Sequence, residues 1–233
     1  MAQTQIRNRK EPARRDVGTR AVGTREVVDW LRSRIRRGRL IPGQRLVEAD
    51  IIRDTGAGRS HVREALKKLE AESIVVIEEF RGASVRRYTR DDLRQIYQIR
   101  MALEGLAAAN FAAADAPVAK EQLAQLQAEL DRHERDTHHE GFARANDAWH
   151  ALIIDSADNA YLKDFLERLR IPIHWLLHRS FFNRARLDTS NTAHRAITKA
   201  ILDGKPKEAE RLMRKHLTDG LQALSSVDSE LLD

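Results

Sequence analysis

Asn146 and His150 stand four residues apart in a stretch patterned as a helix, so their side chains share one face. His194 and His216 each lie about eleven residues from a short Gly204-Lys205-Pro206 link. Two antiparallel helices joined there would bring both imidazoles to one height, facing one interior. An amide oxygen and three imidazoles suit a divalent metal ion. Spacing alone leaves a second reading open, in which these are surface or satisfied core histidines, because histidine is ordinary on helices. His174 and His178 repeat the four-residue step, but Pro172 disturbs the helix just before them, and pocket lining or a solvated face is expected there. His138-His139, beside Glu140-Gly141 at a helix end, are expected to face water. Trp149 and Trp175 read as core residues or as walls of a pocket.

A second chemistry is written in "GAGRSHVREALKKLEAES", Gly56 to Ser73. Val62, Ala65, Leu66 and Leu69 recur at the three- and four-residue steps that line one side of a helix. Arg63, Lys67, Ser60 and Glu64 project from the other side, with Arg59 at its border. Such a helix, buried along one stripe and cationic along the other, is shaped to lie on a polyanion.

The charge distribution points the same way. The 233-residue chain carries a formal net charge of +6, but up to Arg87 there are 21 Lys+Arg against 12 Asp+Glu, and afterwards 20 against 23. An evenly solvated surface does not predict that lopsidedness; a small cationic unit made for phosphate backbones does. Cysteine is absent, which excludes disulfides and thiolate sites, and a cytoplasmic location fits. No apolar run approaches the roughly 20 residues that cross a bilayer, so no membrane association is expected. Met1 to Arg20 is arginine-rich without the apolar stretch of a signal peptide and reads as a flexible basic tail. No HExxH motif and no evident general base accompany the histidines, so catalysis is not expected.

Periodicity and turn residues along the chain define the elements that must position these groups. Val27, Val28, Leu31 and Ile35 predict a first helix stopped by Gly38, and Pro42-Gly43 marks a turn. A second helix follows over Glu48 to Thr55 and ends at Gly56; the quoted stretch supplies a third, over Arg59 to Glu72. The period then changes: Ile74 to Ile77 and Ala83 to Arg87 predict two strands about a turn at Gly82. Three helices and a hairpin are the order of a winged helix-turn-helix, assigned to residues 21–87. In it Gly56 permits the sharp turn, and Gly58 near the N-cap leaves the first amides of the next helix free for phosphate. Arg59, Ser60 and Arg63 then face the major groove, Arg45 meets phosphate, and Arg81 and Gly82 at the hairpin tip reach the adjacent backbone or minor groove.

Residues 88–233 read as an all-α bundle. Thr89 with Asp92 opens a helix running to Ala114, Asp115-Ala116-Pro117 opens one reaching about His139, and another covers Phe142 to Ser156. The stretch from Tyr161 to Arg184 is interrupted at Pro172, Thr189 or Ser190 caps a helix ending at Gly204, and Pro206 begins the last, through Leu224.

Within residues 27–87 the segment "IRRGRLIPGQRLVEADIIRDTGAGRSHVREALKKLEAESIVVIEEFRGASV" resembles the DNA-binding domain of GntR-type transcription regulators, through the Pro-Gly turn, the "VREAL" helix and the Arg-Gly wing. Gly58 stands where a capping Ser is common, His61 where a Pro is common, and Ala49 where a DNA-contacting Arg is often found. The resemblance implies a DNA-facing set of Arg45, Arg59, Ser60, His61, Arg63, Lys67, Arg81 and Gly82.

"YQIRMALEGLAAANFAA", "NDAWHALIIDSADNAYL" and "AHRAITKAILDGKPKEAERLMRKHL" are similar to the FCD effector-binding domain of the FadR-like branch. That resemblance implies a divalent metal, with Zn, Ni and Mn as candidates, held by Asn146, His150, His194 and His216, where Asn146 replaces a commoner Asp. It also implies that Arg100 faces the pocket and grips a carboxylate, the alternative being a salt bridge to Glu104 one turn away. The expectation is a homodimeric, metabolite-responsive regulator, a repressor, that reads a palindromic double-stranded DNA operator and senses a small organic acid. The alternatives are a metal-dependent enzyme acting on a small carboxylate and a ligand-independent DNA-binding protein.

Overall fold

The computed structural model describes residues 22–170 and 180–225. The expected basic tail over residues 1–20, the break at Pro172, and His174, Trp175 and His178 lie outside the described residues. What is described is mainly α: a winged helix-turn-helix followed by an all-helical bundle.

The first unit opens with α1 (Thr24–Arg36), whose Val27, Val28, Leu31 and Ile35 turn inward as their spacing requires. A short strand, β1 (Arg45–Leu46), precedes α2 (Glu48–Thr55). Gly56 then adopts φ +72, a left-handed conformation that strains residues bearing a Cβ, and its N–H closes α2 on the Ile52 carbonyl. After the turn, α3 (Arg59–Ala71) buries Val62, Ala65, Leu66 and Leu69 on one stripe. Full burial of Val62 and Leu69 contributes about 1.5–3 kcal/mol each. The wing is β2 (Val75–Glu78) and β3 (Gly82–Val85), antiparallel, with β1 on the outer edge of β3, so the sheet order is β1-β3-β2. At two residues, β1 is too short to leave a periodic trace in the sequence.

The bundle begins with α4 (Arg90–Ala113), fixed at its start by a capping box. The Thr89 hydroxyl accepts the Asp92 N–H at 3.1 Å, and the Asp92 carboxylate accepts the Thr89 N–H at 2.9 Å. Five helices follow among the described residues: α5 (Pro117–Arg135), α6 (His139–Asp155), α7 (Ala160–Arg170), α8 (Arg184–Leu202) and α9 (Pro206–Ser225). The most extensive helix pairing is α9 on α4, and Gly105 permits it: a Cβ there would sit 2.9 Å from Cγ of Arg214. No helix among the described residues is long and apolar enough to cross a membrane.

Two boundaries differ from the sequence expectation. Helix α5 stops at Arg135 rather than near His139, because Thr137 turns to φ +54, and α6 starts at His139 instead of Phe142. Helix α8 starts at Arg184, capped by the Asn183 side chain accepting the Arg186 N–H at 3.1 Å, not by Thr189 or Ser190. The Thr189 hydroxyl instead donates to the Ala185 carbonyl at 2.8 Å within the helix, and Ser190 is buried.

Tyr88 joins the two units. Its ring packs with the bundle, while its hydroxyl donates to the Ser73 carbonyl just past α3. Burial raises the phenol to about pKa 12, so it stays a donor throughout the physiological range.

Candidate functional site

Three helices converge on one point in the bundle. Helix α6 supplies His150, α8 His194 and α9 His216, and their ligand atoms all lie within 4.8 Å of one another. Ring centroids are separated by 4.6 Å for His194–His216, 5.4 Å for His150–His216 and 5.8 Å for His150–His194. The Gly204-Lys205-Pro206 link brings His194 and His216 level, as the equal spacing requires. Asn146, one turn before His150, is also buried and lines the same small cavity as His150 and His216.

The chemistry of this donor set fits a divalent ion. Both ring nitrogens of His194 and Nδ1 of His216 are buried without a hydrogen-bond partner. An orphaned buried polar group costs about 1–3 kcal/mol, so a core has no reason to hold three unless something binds them. Burial first, then neighbouring imidazoles, holds His194 well below its ordinary pKa; burial and the nearby His150 do the same to His216. Both are therefore neutral, with lone pairs to offer. Nδ1 of His150 lies 2.8 Å from Oε2 of the buried Glu104, which leaves Nε2 as its ligand atom. Trp149 is a core residue: it is fully buried, its Nε1 donates to the Thr198 hydroxyl at 2.9 Å, and its ring lies 4.6 Å from that of His194.

Arg100 lines the cavity and forms the expected pair with Glu104. Its Nε donates to Oε1 of Glu104 at 2.7 Å, while its Nη1 is buried without a partner at the cavity. Glu104 thus orients an imidazole and a guanidinium at once. Sequence reasoning named Glu104 only as Arg100's partner and missed Arg186 and Ser190, which line the cavity from α8. His138 is exposed as expected, but His139 is not a water-facing residue. It is half-buried, its Nδ1 lacks a partner, and its ring lies 5.1 Å from that of Phe182.

On the winged unit Gly58 is the N-cap of α3, with no side-chain cap bond. Arg59, Ser60, His61, Arg63 and Lys67 are all exposed along the outer stripe of α3. Nε of Arg63 is held by Glu48 of α2 at 2.9 Å, and His61 meets the Thr24 hydroxyl at 3.1 Å. Arg45 is exposed on β1; Arg81 pairs with Glu78 at 3.4 Å, beside Gly82 at φ +82. Between them the wing tip presents Phe80, 97% exposed, which the sequence reading did not single out.

Comparison with known proteins covers both units. Residues 24–85 match the model of the bacterial regulatory proteins of the gntR family, and residues 95–219 match that of the FCD domain. The uncharacterized HTH-type transcriptional regulator YdhC of Bacillus subtilis (strain 168) is 28% identical over 204 residues, covering 86% of this chain and 90% of its own. A probable D-xylose utilization operon transcriptional repressor of Paenarthrobacter nicotinovorans is 29% identical over 208 residues, covering 88% and 90%. Among solved structures, E. coli McbR/YncC superposes with a TM-score of 0.76 at 20% identity, over 87% of this chain and 96% of its own. A GntR regulator from Rhodococcus sp. RHA1 superposes with a TM-score of 0.75 at 23% identity, over 88% and 99%. The chain belongs to the gntR family of bacterial regulatory proteins, as a DNA-binding transcription regulator whose winged helix-turn-helix is followed by an FCD domain.

Proposed function

We propose that this regulator is a repressor that binds a palindromic operator as a homodimer and senses a small organic acid at a metal held by Asn146, His150, His194 and His216. The observation that carries the reading is His194: fully buried, neutral, with neither ring nitrogen engaged by protein, beside two further imidazoles. A divalent ion, with Zn, Ni and Mn as candidates, supplies when bound an electrophilic centre for a carboxylate or hydroxyl oxygen. Glu104 fixes the ring of His150 through Nδ1, and Arg100 keeps Nη1 free to donate to an acid oxygen. Trp149 and Phe142 close the apolar side of the trio and exclude water.

On the operator, twofold-related copies of α3 sit in successive major grooves; the exposed Arg59, Ser60, His61, Arg63 and Lys67 support that placement, with Arg45, Arg81 and Gly82 at the flanking backbone. Exposed apolar side chains on the bundle, Ile99 and Leu106 of α4 with Tyr161 and Phe165 of α7, support a second copy covering them. A coupling of ~1–3 kcal/mol between acid and operator changes affinity ~5–150-fold.

The test measures the metal-to-protein ratio and operator affinity together. Wild type is expected to retain about one divalent ion per chain, and His194→Ala to lose it while the metal-free protein still binds DNA. An unchanged ratio in His194→Ala removes the histidine trio from the reading.

A further inference from the structure

The bundle cavity is bordered by a second guanidinium that the metal reading does not use. Arg186 sits two turns before His194 on α8, with Ser190 midway, so the three polar side chains recur at four-residue steps on one face. Arg186 lines the cavity together with Arg100, Asn146, Ser190 and His216. Its Nε is buried without a partner, as are Nη1 of Arg100 and the Ser190 hydroxyl. Among the described residues no carboxylate pairs with Arg186, and Asp219, which it feels electrostatically, is engaged by Lys215 at 2.8 Å.

The ion pairing around the cavity is uneven. Glu104 pairs with Arg100 at 2.7 Å, and residue 146 is an amide rather than a carboxylate. Arg186 sits in a largely buried place with its Nε unpartnered. Among the described residues that line the cavity, the half-buried Asp147 is the one carboxylate. Buried charges are paired in proteins, because an isolated one carries a heavy desolvation penalty.

We propose that the cavity selects a compact dianion, one oxyanion group held by Arg100 and the metal, the second by Arg186 and Ser190. This rests on the metal-pocket reading for the first group only; the second depends on the chain's own residues. Burial pulls the Arg186 guanidinium below its ordinary pKa, the direction expected of a cation lacking its counter-ion. The cavity is only about 20 Å³, room for a water or two, so the anion is short and its entry moves side chains. A dicarboxylic acid and a phosphate-bearing acid share this chemistry.

The test is calorimetric titration of the full chain, metal-free and zinc-loaded, with succinate, butyrate and phosphoglycolate at constant ionic strength. Succinate or phosphoglycolate is expected to bind at least about tenfold more tightly than butyrate, the factor a charge-assisted contact supplies. Preference for succinate alone identifies the dicarboxylate source; preference for phosphoglycolate identifies the phosphorylated one. Arg186→Gln is expected to abolish the preference with metal content unchanged, and Arg186→Lys to keep part of it. Equal binding of butyrate and succinate by wild type overturns the proposal, as does an Arg186→Gln protein that prefers succinate like wild type. The wild-type comparison decides the matter even if the glutamine variant does not fold. A protein that takes up no zinc yet keeps the dianion preference defeats the metal reading and leaves this one standing.

Discussion

Replacing Glu104 by Gln tests the centre of the site without changing its shape. Glu104 is 1% exposed and Arg100 4%, so the pair is out of reach of solvent screening. Removing one charge leaves the other buried and uncompensated, which costs about 3–5 kcal/mol. For a chain of this size that lowers the melting temperature by roughly 6–20 °C. The neighbouring imidazole suffers too: an amide holds Nδ1 of His150 less firmly than a carboxylate, and loss of such an outer contact weakens metal binding about 10–100-fold. Differential scanning calorimetry of the metal-free protein isolates the first effect, and zinc titration of Glu104→Gln measures the second. The double variant Arg100→Met/Glu104→Gln removes both charges and is expected to recover at least about 2 kcal/mol of the loss, because no charge is then left buried without its partner. A Glu104→Gln cost below about 1 kcal/mol, or a double variant no more stable than the single one, refutes the claim that the two charges hold each other in a dry core.

Other outcomes follow from the same geometry. Arg63→Ala is expected to cost ~1–3 kcal/mol of discrimination between operator and scrambled duplex; an equal loss on both sequences reduces Arg63 to a phosphate contact. Lys67→Ala should lower affinity for all duplexes alike and reduce the salt slope by about 1, read from binding isotherms between low and moderate salt. Metal-free protein should lose stability as pH falls below about 6.5. His194 and His216 are held neutral in the fold while the unfolded chain takes up protons there, so each contributes a loss approaching 1.4 kcal/mol per pH unit until its depressed pKa is reached. Urea midpoints from pH 8 to pH 5 measure this, and a flat profile contradicts it. Tyr88→Phe should remove the hydrogen bond to Ser73 at a cost of about 0.5–1.5 kcal/mol and, if the link carries the signal, diminish the effect of added acid on operator affinity.

The sequence disclosed the winged unit almost element by element because its signals are local. Gly56, Pro42-Gly43 and the Val62-Ala65-Leu66-Leu69 stripe each act within one turn of chain. All four residues of the proposed metal site were readable for a similar reason: a symmetric spacing about Gly204-Lys205-Pro206 sets His194 against His216, and a four-residue step ties His150 to Asn146. Glu104 was harder, since its contact with His150 joins residues 46 apart in sequence and nothing near Glu104 announces it. Arg186 was hidden by a specific error. With α8 started at Thr189, Arg186 fell outside the helix, and the polar stripe Arg186-Ser190-His194 could not be seen. Asn183, the true cap, follows two phenylalanines that mask it as a turn signal. Strand β1 exists through its pairing with β3, a tertiary fact without a local signature.

Helix α4 runs unbroken from its capped end at Thr89 past Arg100, and the ten residues between Arg90 and Arg100 span about 15 Å. Only Arg86, Arg87, Tyr88 and Thr89 separate the wing's last strand from that helix, and Tyr88 is moored to the foot of α3. Helix α4 is therefore a stiff rod that lines the cavity at Arg100, partway along its length, and starts next to the residue moored at the foot of α3. Were the cavity to take up the proposed acid, a tilt of that rod would have only four connecting residues in which to be lost before it reached the wing.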